Sequence, residues 1–122
     1  MSIAILNEDR LTTETTALLL REAGYDVIEV EDGPGLLHLI DLDRGEIDAV
    51  VINLFVPAMS GVDLFHAIRA RSKTLPVVVD TGALPNSWNS AATDPHATIL
   101  RKIHPAKDLL TAVARYVPVS AR

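Results

Sequence analysis

With 122 residues, no cysteine, 48% hydrophobic and 22% charged residues, the chain has the make-up of a single soluble globular domain, 1–122. It has neither a disulfide framework nor a thiolate metal site, and a formal net charge of -5 argues against direct nucleic-acid binding, which asks for a basic face. No apolar run reaches the length of a membrane span and the N-terminus lacks the order of a signal peptide, so the expectation is a cytoplasmic protein with no membrane contact.

The first strand is read at Ser2 to Leu6, a short apolar run that ends in Asn7-Glu8-Asp9. A helical pattern follows from about Leu11 to Ala23, stopped by Gly24. Thr12, Thr13, Thr15 and Thr16 are poor helix formers and predict a frayed first turn. Tyr25 to Val30 reads as the second strand. Asp32 has the type of an N-cap, with Pro34 in the first turn of a helix that runs to about Leu42 and ends at Gly45.

Ala49 to Ile52 is continuously apolar, as in a strand covered on both faces, and closes on Asn53. Pro57 and Gly61 punctuate the loop before a third helix from about Gly61 to Arg71. The fourth strand, Val77 to Val79, ends at Asp80-Thr81-Gly82. Between Leu84 and His96, Pro85 and Pro95 leave room only for a short or irregular fourth helix. Thr98 to Leu100 is the fifth strand, ending at Lys102, and Pro105 opens a last amphipathic helix with Leu109, Leu110, Val113 and Tyr116. Five β–α units with short connections predict an α/β fold: one doubly wound, flavodoxin-like parallel sheet with helices on both faces.

Strand order 2-1-3-4-5 would gather Asn7-Glu8-Asp9, Asn53, Thr81 and Lys102 at one edge, where such sheets place their functional groups. On these residues and their spacing the whole chain resembles the receiver domain of two-component response regulators. That family carries an acid pair after strand one, a phosphorylated aspartate after strand three, a Pro and Gly in the next loop, a Thr or Ser after strand four and a Lys after strand five. Here Asn7 and Glu8 stand at the acid pair and Asn53 at the phosphoacceptor. Pro57, Gly61, Thr81 and Lys102 match the remaining positions. The resemblance is to a degenerate member, a pseudo-receiver.

The departure matters chemically. A carboxylate can attack a phosphoryl donor with Mg²⁺ neutralising the developing charge, whereas an amide is a very poor nucleophile. Mg²⁺ prefers carboxylates and dehydrates reluctantly. Of the usual three acids only Glu8 remains in register, with Asp9 available if the loop shifts by one residue. The expectation is therefore no cofactor, Mg²⁺ weak at most with Glu8 and Asp9 its only candidates, and no phosphorylation at position 53. Beside Lys102, an ion pair is expected ahead of a metal site.

The family's switch is also altered. Ile99 replaces the aromatic residue three positions before the lysine, and Ile103 replaces the proline after it. A cis bond before a non-proline residue is costly, so Lys102–Ile103 is expected to be trans. Asp80 stands where the family is generally apolar, and strand alternation points it away from Thr81 without giving it a role. His38, His66, His96 and His104 show no metal-ligand spacing. Trp88 is either an anchor for a poor helix or a partner contact, and Phe55 and Met59 flank the pocket loop in either capacity.

Together these readings describe a receiver-like protein-interaction module in bacterial two-component signalling, not an enzyme. Its partner would be a histidine kinase, another regulator or a neighbouring domain, met around helix one or the fourth-helix to fifth-strand face. A homodimer is a further expected partner arrangement. Two alternatives remain open: an engineered Asp→Asn change at position 53 of a phosphorylatable receiver, and a small-molecule or nucleotide sensor on the same fold.

Overall fold

The computed structural model describes residues 2–82 and 93–118. Within them lie β1 (Ser2–Leu6), α1 (Arg10–Glu22), β2 (Asp26–Glu29), α2 (Gly33–Leu42), β3 (Ile47–Ile52), β4 (Phe55–Val56), β5 (Met59–Ser60), α3 (Gly61–Arg71), β6 (Val77–Thr81), β7 (Ala97–Arg101) and α4 (Ala106–Tyr116). The five long strands pair in the order β2-β1-β3-β6-β7, all parallel, which is the order expected from the sequence. The segment expected to hold a short fourth helix, together with Trp88, lies largely outside the described residues. No helix among the described residues is long and apolar enough to cross a membrane.

Side chains alternate across the sheet, and each face is sealed by its own helices. Ala4, Leu6, Val50, Ile52, Val77 and Val79 share one core with Leu36 of α2 and Leu64, Phe65 and Ile68 of α3. Ile3, Ile5, Ala49, Val51 and Val78 share the other with Ala17 and Leu20 of α1 and Leu109 and Val113 of α4. Each fully buried Leu or Ile side chain contributes about 2 kcal/mol. Burial on both faces accounts for the unbroken apolar runs in β3 and β6.

Local chemistry sets the helix starts. Asp32 accepts from the Gly35 N–H and caps α2, as its sequence context predicts. The expected fraying of α1 is corrected. The helix starts at Arg10 with Asp9 as N-cap, and Thr13 and Thr16 are buried against the sheet. Low intrinsic propensity gives way there to a cap and to packing.

Two further features depart from the sequence reading. The stretch after β3 is a small antiparallel hairpin, β4–β5, turned at Pro57-Ala58, with Ala58 in the left-handed region at φ 72°. Pro followed by a positive-φ residue suits the centre of a type II turn. The Lys102–Ile103 bond, expected trans, is cis. That expectation weighed only the local preference, whereas the loop is fastened on both sides. The Lys102 N–H donates to the Thr81 carbonyl at 2.9 Å, and the His104 ring reaches Asp80 at 2.7 Å.

Arg69 ties the end of α3 to the start of β7. Its guanidinium meets the Asp94 carboxylate at 2.6 Å and donates to the carbonyls of Ser72, Leu75 and His96, while lying over the Phe65 ring. Asp94 is mostly buried, and desolvation alone would raise its pKa. The hydrogen bonds from Arg69 and the His96 N–H, with the guanidinium charge, outweigh this and hold it below the ordinary 3.8.

Two stability predictions follow from this packing. A Cβ at Gly61 would stand 2.2 Å from Leu54 Cα and 2.6 Å from its carbonyl oxygen. The obstacle is backbone, so Gly61→Ala should cost about 3 kcal/mol in urea unfolding, at the upper end of overpacking effects. Because the Asp94 pKa is depressed by folding, its contribution is present above pH 3.8 and lost as pH falls through its folded value. Asp94→Asn should therefore give a lower but flatter stability curve in acid, read by thermal unfolding across that range.

Candidate functional site

The sheet's register assembles the site. Leu6 pairs with Ile52 and Ile52 with Val79, so the chains leave β1, β3 and β6 side by side. The Asn53 N–H donates to the Leu6 carbonyl at 3.1 Å, one step beyond the last paired residues. Asn7, Asn53 and Thr81 are consequently buried together. Lys102 enters from the loop after β7 and is half-buried.

At the centre is a pair of amides. Asn7 Oδ1 accepts from three donors: the Glu8 N–H at 2.8 Å, Asn53 Nδ2 at 2.9 Å and Lys102 Nζ at 3.0 Å. Asn53 Oδ1 accepts from the Phe55 N–H at 2.9 Å and from Thr81 Oγ1 at 3.1 Å. Every partner of each oxygen is a donor, so the network itself fixes both amide orientations. The Asn7 N–H in turn donates to Thr13 Oγ1 at 3.0 Å, which roots the site in α1.

The three residues after β1 thus divide their work. Asn7 faces the pocket. Glu8 lies outward, 3.3 Å from Lys102 Nζ and half-exposed, which makes it a surface ion pair worth under about 1 kcal/mol. Asp9 accepts from the Thr12 N–H at 2.7 Å as the cap of α1. That hydrogen bond leads the effects that lower its pKa, with Lys102 adding a smaller one. The shift of loop register left open by the sequence is not adopted.

Other residues singled out in the sequence fall into place around this core. Ile99 is half-buried and packs on the α2–α3 side of the sheet. Met59 packs on that same core, whereas Phe55 is 59% exposed at the pocket rim. His38 and His66 are exposed on helices. Among the described residues no cluster of three or more His, Asp or Glu side chains could hold a metal ion. A groove of about 780 Å³ runs beside the site between α1 and the end of β2, lined among others by Arg10, Glu14, Leu18, Arg21 and Glu29.

Sequence reasoning missed three contributors. Thr13 was read only as a poor helix former. Arg69 carries no local signal, because its acceptors are carbonyls and a carboxylate brought in by the fold. Asp80 has no evident role in the sequence, yet it shares the alternation that puts Val78 on the α4 side of the sheet. That face leads it to His104, and the alternation was the available signal.

Comparison with known proteins agrees with this architecture. The response regulator receiver domain family matches residues 3–114. Over 80 residues the chain is 36% identical to the sensory transduction protein RegX3 of Mycobacterium tuberculosis, a match covering 66% of this chain and 34% of that protein. The chain thus spans about a third or less of the length of the curated relatives it matches. Among solved structures, the chemotaxis response regulator CheY4 of Vibrio cholerae superposes with a TM-score of 0.80 at 20% identity, covering 95% of this chain and 98% of that one. The receiver domain of the sensor histidine kinase PA1611 of Pseudomonas aeruginosa, solved with magnesium in its active site cleft, gives 0.78 at 24% identity, covering 94% and 95%. Five parallel strands in this order, polar residues at their carboxyl ends and a family match across nearly the whole length make the chain a member of the response regulator receiver domain family.

Proposed function

We propose that this receiver domain works without phosphorylation at position 53, as a protein-interaction module of a two-component pathway. The observation that carries the reading is the buried pair of amides, in which Asn53 Nδ2 donates to Asn7 Oδ1. Asn53 offers its Nδ2 hydrogen to Asn7 and its oxygen to Thr81 and the Phe55 amide, so neither atom is a nucleophile toward a phosphoryl donor.

The donor set also suits Mg²⁺ poorly. A hard dication asks for carboxylate oxygens in near-octahedral array. Here the inner oxygens belong to amides that already accept hydrogen bonds, Asp9 caps α1 and Glu8 faces Lys102. The Lys102 ammonium takes the place beside Asn7 Oδ1 that a cation would need.

A surface for partners lies next to the pocket. Leu11 and Leu18 stand two turns apart on α1 and are 73% and 57% exposed, with the α1–β2 groove alongside. Large apolar side chains at that spacing, rimmed by Arg10, Glu14 and Arg21, suit a partner helix from a kinase, a second regulator or an adjoining domain. On this reading the surface is presented constitutively.

Incubation with acetyl phosphate and Mg²⁺ should leave the intact mass unchanged and the amides of Asn7, Asn53, Thr81 and Lys102 unshifted. A phosphoryl adduct, or shifts centred on those four residues, would overturn the reading. Asn53→Asp alone should destabilise the fold by about 1–3 kcal/mol, because a carboxylate oxygen then faces Asn7 Oδ1 with no hydrogen between them. Urea unfolding at neutral pH measures the loss, and no loss would mean that the two amides are not coupled.

A further inference from the structure

His104 sits in the loop after β7, two residues beyond Lys102, with both ring nitrogens against oxygens. Nε2 is 2.7 Å from Asp80 Oδ1 and Nδ1 is 3.0 Å from the Pro105 carbonyl oxygen. A carbonyl can only accept, and an ionised carboxylate can only accept. A neutral imidazole has one N–H and could serve one of them, leaving a lone pair against the other oxygen. The imidazolium alone donates to both. The pair is largely screened from water, with side-chain exposures of 15% for His104 and 5% for Asp80.

The two partners are neighbours of the pocket. Asp80 directly precedes Thr81, whose hydroxyl meets Asn53. The Lys102 N–H is bound to the Thr81 carbonyl, and its ammonium reaches Asn7. We propose that Asp80 and the imidazolium of His104 form a clasp that holds the Lys102 loop against β6, and that loss of the His104 proton opens it and loosens Lys102 from Asn7. The clasp is a pH-sensitive device, separate from any partner surface on α1.

The charges facing the ring support this direction. Asp80 comes from β6 and Asp108 from the first turn of α4, both acidic. From the β1–α1 loop, Glu8 faces Lys102 and Asp9 caps α1. Lys102 turns its ammonium to Asn7 and Glu8, while Arg101 and Lys107 are exposed. Desolvation opposes the charge on His104, but the Pro105 carbonyl and the carboxylates of Asp80 and Asp108 outweigh it and raise the pKa above the ordinary 6.5. The clasp's stabilisation is thus complete below pH 6.5 and is lost as pH rises through the folded value.

Histidine ring and backbone amide NMR of the whole chain, from roughly pH 5 to 9, tests it. His104 should titrate with a midpoint above the 6.5 of an ordinary imidazole, and the amides of Asn7, Thr81 and Lys102 should move with that same midpoint. Asp80→Asn should lower both midpoints together, and His104→Gln should abolish the pocket's step. A His104 midpoint at or below 6.5 would overturn the proposal, as would pocket amides that ignore it. The unsubstituted chain decides on its own should either variant fail to fold.

Discussion

The register of β1 against β3, and of β3 against β6, is the constraint on which the rest depends. It stops three strands at nearly the same level and sets the first unpaired residue of β1 and of β3 side by side. Asn7 and Asn53 therefore meet because Leu6 and Ile52 are paired, not because either side chain seeks the other. A slip of one residue would turn each strand's apolar set to the wrong core and separate the amides at once. The packing that stabilises the sheet and the geometry of the site are one specification.

Within that frame the polar interactions differ in kind. The amides at the centre are neutral and buried, with both oxygens hydrogen-bonded, so they avoid the desolvation cost of buried carboxylates. The Glu8–Lys102 pair is half in solvent and adds little. Arg69 is the opposite case: a mostly buried charge held by one carboxylate and three carbonyls, where removing the guanidinium takes a donor from all four acceptors. Stability is drawn from the apolar layers and from Arg69, while the pocket specifies shape.

Much of this was legible in the sequence. Continuous apolar runs bounded by Gly, Pro and polar residues identified the buried strands, and the residues at their carboxyl ends named the pocket. Asp32 declared its helix start. What escaped was set by tertiary contact. The α1 threonines look like weak helix formers until the sheet buries Thr13 and Thr16. The β4–β5 hairpin is two residues a side, too short for periodicity to register. The geometry at Lys102–Ile103 belongs to a loop fastened by residues far away in the chain, and local preference carries no information about them. Asp9 was counted with the pocket because it adjoins Glu8, and only the helix it caps shows its different employment.

The one-way hydrogen bond between the amides also constrains the order in which such a pocket can change. Because Asn7 presents an oxygen to the Asn53 nitrogen, a carboxylate arriving first at position 53 meets an unsuited partner, whereas one at position 7 meets three donors. At position 53 it brings two acceptors together. At position 7 it keeps the acceptor but adds a negative charge to a buried site with one ammonium shared with Glu8. A pocket of two amides thus reaches two acids more readily through position 7 than through position 53, an order set by hydrogen-bond polarity.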